Sequence, residues 1–148
     1  MKNKIYIKFF LVVLLGLWMV HGQAQTLHEL VLTVDTTNPS NVTNNSFSAG
    51  NNTIMASSSK NHFAIKAEVG DSVLWKAKAA GESQVPVHVV GVNYISGPRI
   101  FSSNTLTGKS TVKGTIIRGG KENYVYKLHY TLGSDTKVYV VTAAIITK

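Results

Sequence analysis

The stretch Glu68-Val-Gly-Asp-Ser-Val-Leu-Trp75 decides the fold, because it joins two segments of strand periodicity through a Gly-Asp turn. Apolar side chains before the turn fall at every second position, as in a β-strand with one buried face; they are Phe63, Ile65, Ala67 and Val69. The alternation resumes after the turn at Val73, Trp75 and Ala77. Glycine tolerates positive φ and aspartate bonds to nearby backbone, so both favour turns. The stretch therefore predicts a strand, a turn and a second strand.

The same period of two runs through most of the remaining chain. Residues 85–94 are apolar on both faces, which predicts a central strand buried on both sides. Residues 36–60 are rich in Asn, Ser and Thr and predict a long polar loop, within which 53–56 are a candidate edge strand. Further strands are expected at 30–34, 110–118 with a bulge at Gly114, 124–132 and 138–146, with a short candidate at 99–101. Seven or eight strands without helical periodicity predict an all-β, antiparallel Greek-key sandwich.

The first 24 residues have the pattern of a cleaved signal peptide. Three lysines lie within the first eight residues, and an apolar run follows at 9–20. Small residues then predict a cut after Ala24, which makes Gln25 the new terminus. A retained membrane anchor is the alternative, but a spanning helix needs roughly 20 apolar residues. We therefore expect residues 25–148 to form one secreted or periplasmic domain without a membrane span.

Composition limits the functions open to this domain. Removing the three signal lysines lowers the formal charge from +8 to +5, and no run of Lys or Arg forms a nucleic-acid-binding footprint. The chain has no cysteine, so its stability must come from burial and backbone hydrogen bonds rather than disulfides. We expect no nucleic-acid partner. A monomer or weak oligomer is expected, since free edge strands can pair with a second copy.

At Glu68–Trp75 the chain resembles cupredoxin-like domains, in which a strand ending at Gly-Asp leads into a strand with an inward tryptophan. Val85-Pro-Val-His88-Val resembles the strand that holds their first copper histidine. Tyr124-Val-Tyr126-Lys-Leu128 resembles their penultimate strand, whose cysteine binds copper, and here Leu128 stands in that place. No second His and no Met follow in the ligand loop. The resemblance, over roughly residues 63–148, therefore implies the fold without blue-copper electron transfer, which needs a thiolate.

The histidines offer a weaker metal hypothesis. None of His28, His62, His88 and His129 shows the close spacing of a metal-binding motif. Neighbouring strands could still bring His88 and His129 together, and such a pair would hold Cu(II) or Zn(II) weakly. The alternative is that His28, His62 and His129 lie on solvent-facing strand surfaces and His88 packs near a sheet edge. We favour that alternative and expect neither a metal nor a cofactor.

No constellation of side chains predicts catalysis. Most carboxylates fall in predicted turns, where acids are common for conformational reasons, and no serine has the nucleophile-elbow pattern. Tyr124, Tyr126 and Tyr130 share one face, but their alternation with leucines favours a buried core over an exposed sugar platform. We predict an exported, non-catalytic protein with a binding or structural role for an unidentified ligand or surface partner. The alternatives are weak copper or zinc binding and a carbohydrate-binding or adhesin-like module.

Overall fold

The computed structural model describes residues 24–59 and 62–147. The predicted signal peptide therefore lies outside the described residues, apart from Ala24. Ten strands and one 3-10 turn, η1, form the described chain; they are β1 Leu27–Val34, η1 Val42–Asn44, β2 Ser46–Ala49, β3 Ile54–Ser59, β4 His62–Ala67, β5 Ser72–Ala79, β6 Val87–Ser96, β7 Thr105–Thr107, β8 Val112–Thr115, β9 Tyr124–Leu132 and β10 Tyr139–Thr147. Within these ranges no helix is long and apolar enough to cross a membrane.

The strands form two sheets, as the all-β prediction requires. The four-stranded sheet has the order β2-β1-β5-β8, and the six-stranded sheet has the order β3-β4-β10-β9-β6-β7. The prediction of a purely antiparallel arrangement is wrong, because β1 pairs with β5 and β4 pairs with β10 in parallel. Parallel neighbours need a long connection between them, and the chain between β1 and β5 supplies one. Residue periodicity cannot reveal this, because alternation is the same in both kinds of sheet.

The core lies between the two sheets and consists of the inward faces that the alternation predicts. Three residues of β1, namely Leu30, Leu32 and Val34, are fully buried. The β9 stripe is confirmed as core at Tyr124, Tyr126, Leu128 and Tyr130. Trp75 of β5 is also fully buried, and its ring packs edge-on against Phe101 and Tyr126. The tyrosines are therefore interior packing, as the sequence favours, and the alternative of an exposed sugar platform is wrong.

The polar segment 36–60 differs from the predicted long loop. It contains η1 and two edge strands, β2 and β3, and β3 extends the edge strand expected at 53–56. These strands, with β7, raise the count from the expected seven or eight to ten. Edge strands bury little side-chain surface, so polar residues are tolerated there. Backbone hydrogen bonds to β1 and β4 decide their structure, and those partners lie elsewhere in the sequence.

Three local expectations are also corrected. The strand expected at 85–94 is β6, one position from the sheet edge, and its outward face is only half buried because only its inward face packs toward the other sheet. A register shift between Val89 and Gly91 breaks its alternation. Gly114 pairs in regular register, so it makes no bulge; a side chain there would meet Leu106 and Phe101. Residues 99–101 form no strand, although Ile100 and Phe101 are buried.

Candidate functional site

The Gly70-Asp71 turn carries the chain from one sheet to the other, since β4 belongs to the six-stranded sheet and β5 to the four-stranded sheet. Gly70 has a φ of +99°, a conformation that side-chain-bearing residues rarely adopt. Its N–H donates to the Ile116 carbonyl at 2.8 Å, and the Asp71 N–H donates to the Glu68 carbonyl at 3.1 Å. The turn is thus fixed at both residues, which positions the Asp71 side chain.

The Asp71 carboxylate is buried at 7% exposure and accepts three hydrogen bonds. Oδ1 accepts from the Thr26 N–H at 2.9 Å, and Oδ2 accepts from the Glu68 N–H at 2.8 Å. Oδ2 also contacts His28 Nε2 at 2.9 Å. Burial by itself opposes ionisation, but the hydrogen bonds from His28 and the two backbone amides outweigh it, so the pKa of Asp71 is lowered. Asp71 therefore stays ionised and ties β1, the turn and His28 together.

His28 continues this chain of polar groups to Thr53. Its Nδ1 lies 3.1 Å from Thr53 Oγ1, and the ring is only 4% exposed. Because an ionised Asp71 can only accept, Nε2 carries the proton of that hydrogen bond, and Nδ1 pairs with the threonine hydroxyl. The expectation that His28 lies on a solvent-facing surface is wrong. The even positions of β1 all point inward, so the period that identified Leu30 and Leu32 also places His28 inside.

Carboxylate, imidazole and hydroxyl occur here in the order of a hydrolytic triad. A triad needs a carboxylate that orients the imidazole and a hydroxyl open to substrate. Here His28 and Asp71 line a neighbouring cavity, but Thr53 is not among the described residues of its wall. The cluster of Asp71, His28 and Thr53 is therefore built to hold three chain segments in place.

A cavity of about 370 Å³ lies beside this cluster. His28 and Asp71 form part of its wall, together with apolar side chains at Ile54 and Val69 and the opposite charges of Lys66 and Glu68. The exposed chain ahead of β1, Ala24 and Gln25, completes the lining. The cavity mixes apolar surface with both signs of charge, so its walls do not select one charge of ligand.

The structure places His88 and His129 on the same face of neighbouring strands. His88 of β6 pairs with Thr131, and His129 of β9 pairs with Gly91, so the two histidines are diagonal neighbours on the outer face of the six-stranded sheet. His129 is half buried rather than solvent-facing, and among the described residues its Nε2 has no hydrogen-bond partner. Burial and the positive charge of Lys127 lower its pKa.

Among the described residues, no third ligand joins the two histidines. In the described part of the chain, no group of three or more His, Cys, Asp or Glu side chains could hold a metal ion. His62 is exposed on β4, as expected. Leu128 points into the core, whereas His88 lies on the outer face with Thr131. Leu128 and His88, the two positions that the resemblance compares with copper ligands, therefore lie on opposite faces of the sheet.

Buried aromatic hydroxyls hold the strands of the core together. The Trp75 indole N–H donates to the Tyr126 hydroxyl at 3.0 Å, which supplies the partner that a buried tryptophan needs. The Asn45 side-chain amide donates to the Tyr130 hydroxyl at 2.9 Å, and that hydroxyl donates to the Pro39 carbonyl at 3.0 Å. The Tyr130 contacts fix the polar segment before β2 against β9. Sequence reasoning missed Asn45 because it lies in a run of asparagines that otherwise face solvent.

Burial raises the pKa of Tyr124 to about 12, with a smaller contribution from Tyr94. Its hydroxyl is buried without a hydrogen-bond partner among the described residues. Burial also raises the pKa of Tyr126, although the Trp75 hydrogen bond opposes that rise. Both hydroxyls therefore remain protonated at physiological pH, and neither acts as a general base.

No family model and no curated protein matches the chain. Among solved structures, the chain is similar to the inclusion body protein PixA from Burkholderia cenocepacia, with a TM-score of 0.59 and 15% sequence identity. That alignment covers 86% of this chain and 99% of PixA, and it supports the two-sheet fold alone. The McoA multicopper oxidase from Aquifex aeolicus aligns over 86% of this chain and 30% of its own length. Its TM-score is 0.30 and its identity 12%, too low to bear on fold or function.

Proposed function

We propose that this chain is an exported, non-catalytic β-sandwich of the cupredoxin-like, Greek-key type, with a binding or structural role and no blue-copper centre. The observation that carries the proposal is Leu128, which is fully buried where the resemblance requires a cysteine, in a chain without cysteine. The inward Trp75 after the Gly-Asp turn supports the family resemblance. The enclosure of His28 and Asp71 in structural hydrogen bonds supports a non-catalytic role.

Copper titration of the exported protein, followed by visible absorption, tests the absence of a blue-copper centre. We expect no intense blue band at any Cu(II) ratio, because that absorption requires a copper–thiolate bond. Incubation with a panel of ester and glycoside substrates tests the absence of catalysis. Turnover that disappears in a His28→Ala variant with an intact fold would overturn the non-catalytic assignment.

The signal-peptide pattern supports a proposal for the localisation of the protein. We propose a secreted or periplasmic domain, residues 25–148, whose binding surface lies at the loops that connect the strands. Loops at the ends of a sandwich commonly supply binding surfaces. Fractionation of cells that express the full chain tests this, and retention of the protein in the cytoplasm would contradict it.

A second candidate function is weak binding of Cu(II) or Zn(II) by His88 and His129. The observation in its favour is their diagonal placement on one face, together with the lowered pKa of His129, which keeps the imidazole in its neutral, metal-binding form. Calorimetry with each metal tests it on the wild type, His88→Ala and His129→Ala, with His62→Ala as the control. Loss of binding in the first two variants alone would support the candidate, and absence of heat in the wild type would end it.

The carbohydrate-binding or adhesin-like alternative has less support. The three tyrosines that would form its aromatic platform are buried, so sugar contacts would have to come from the polar loops. A glycan array on the exported protein tests this alternative. Binding that survives changes to the surface loops would contradict such a loop-based site.

A further inference from the structure

Thr26, close to the predicted cut, is the first of the described residues whose backbone is held by hydrogen bonds. The Thr26 N–H donates to Asp71 Oδ1 at 2.9 Å, and its carbonyl accepts from the Ser72 N–H at 2.9 Å. Ala24 and Gln25 precede these bonds, are exposed and belong to no strand. The Gln25 side chain makes no hydrogen bond to the described residues. Ala24 and Gln25 are therefore accessible to a processing enzyme, whereas the next residue is held by the fold.

We propose that the mature protein carries pyroglutamate at position 25. The inference rests on the proposed export, since a cut after Ala24 makes Gln25 the amino terminus. The cut would leave a single residue ahead of the anchored Thr26. The new α-amino group and the Gln25 side chain would then be free to react with each other, while Asp71 holds the adjoining amide in place.

The reaction is an internal acyl transfer that needs no oxidant or other co-reactant. The α-amino nitrogen of Gln25 attacks its own side-chain carbonyl carbon, Cδ. A new N–Cδ bond closes a five-membered lactam, the Cδ–Nε2 bond breaks, and the amide nitrogen leaves as ammonia with a proton from the amine. Only the neutral amine is nucleophilic, and α-amino groups have a pKa of about 8. A reactive fraction is therefore present at neutral pH, with or without an enzyme to accelerate closure.

Closure changes the charge at the cavity beside the Asp71 cluster. Proteolysis alone would place an α-ammonium group at a cavity whose walls carry Lys66, Glu68 and Asp71. The lactam has no ionisable amine, so the charge that the cut creates is removed. The ring also lacks a free amino terminus, which makes the exported chain resistant to stepwise degradation from that end.

Intact mass and amino-terminal sequencing of the exported protein test the proposal. The full chain is expressed in a bacterial host that exports it, and the protein is purified from the periplasm or medium. We expect the mass of residues 25–148 less one ammonia, and a terminus that is blocked to Edman degradation. The Gln25→Ala variant is the control, and we expect it to be cut after Ala24, to keep its full mass and to give readable sequence from residue 25.

The results of this experiment distinguish failure of the pyroglutamate proposal from failure of the proposed export. A wild-type chain of residues 25–148 with no loss of ammonia from its mass, and with an amino terminus open to Edman degradation, would overturn the pyroglutamate proposal. The proposed export would remain intact. A chain that retains Lys2, or that is cut elsewhere, would overturn both the predicted processing and the lactam that depends on it.

Discussion

At the scale of single residues, Asp71 connects parts of the chain that are far apart in sequence. Its carboxylate receives hydrogen bonds from Thr26 ahead of β1, from Glu68 across the turn and from His28 within β1. The turn role of a Gly-Asp pair is predictable from local chemistry. The contact of Asp71 with His28 is not predictable in this way, because the two residues are 43 positions apart and meet only once the two sheets are stacked.

Replacing this carboxylate should destabilise the fold. Asp71→Asn places an amide NH2 group where the side chain now only accepts, so at least one donor among Thr26, Glu68 and His28 loses its partner. We expect the free energy of unfolding to fall by about 2–3 kcal/mol, as for a buried group left unsatisfied. Chemical denaturation at pH 7 measures this fall.

The matched control is Asp135→Asn, because Asp135 caps an exposed turn by accepting from the Lys137 N–H at 2.9 Å. We expect a loss of less than about 1 kcal/mol there.

The pKa of Asp71 is lowered in the folded state, so its contribution to the free energy of unfolding is complete above the ordinary value of 3.8 and is lost as the pH falls through the folded-state pKa. The difference between wild type and Asp71→Asn should therefore shrink below pH 3.8. Equal effects of the two substitutions at pH 7 would contradict the structural role of Asp71.

At the scale of elements, side-chain periodicity predicts strands that pack in the core and fails at the edges. The alternation in β1, β5 and β9 identifies their buried faces because the inner face of each strand meets the other sheet. β2 and β7 are short, and only Phe47 and Ala49 of β2 and Leu106 of β7 pack against the core, so too few apolar positions mark them as strands. The expected strand at 99–101 fails for the reverse reason, since Ile100 and Phe101 fill the core from an irregular segment.

Two glycines in turns between strands, Gly70 and Gly97, form a matched pair for testing how closely the backbone packs there. Gly70 and Gly97 have φ values of +99° and +91°, so a side chain at either position strains the backbone. A Cβ at Gly97 would also collide with the carbonyl of Asn123, whereas nothing lies within 4 Å of a Cβ at Gly70. We expect Gly70→Ala to cost about 1–2 kcal/mol. Gly97→Ala should cost more, because the collision adds to the same strain.

Urea denaturation of both glycine variants measures the two costs side by side. The difference between them isolates the close approach of the chain after β6 to the start of β9. Equal losses would show that the backbone at Gly97 relaxes freely. In that case the packing of these two segments is looser than the structure indicates.

At the scale of the whole molecule, the fold class was predictable from the sequence and the topology was not. Alternation and turn residues indicate an all-β sandwich, but they do not distinguish parallel from antiparallel neighbours at β1–β5 and β4–β10. The candidate sites show the same limit. His88 and His129 do share a face, as the metal hypothesis needs, whereas no local pattern identifies Asp71 as the partner of the inward-facing His28.

Association between copies is expected to be weak and to depend on the β3 edge. This outer strand exposes Ile54 at 64% and Met55 at 50%, and it has no charged side chain to prevent pairing. We expect size-exclusion chromatography to show a monomer at low concentration and a shift toward dimer as concentration rises. Met55→Lys should abolish that shift. Val42→Lys, at an exposed apolar position in η1 outside β3, should leave it unchanged.

A concentration-independent monomer would contradict the association, and a shift that survives in Met55→Lys would place it at another surface. In either case the sandwich itself would be unaffected, because β3 already pairs with β4 along its inner side.

The proposed function assigns this sandwich a cupredoxin-like scaffold without a blue-copper site. The most direct measurement is Cu(II) titration of the Leu128→Cys variant, followed by visible absorption. This substitution restores the one thiolate, but the loop after β9 has no His or Met, and His88 lies on the other face of the sheet. We expect no intense blue band in the folded variant. The appearance of that band would show that the remaining copper ligands are in place and would contradict the proposed absence of a blue-copper site.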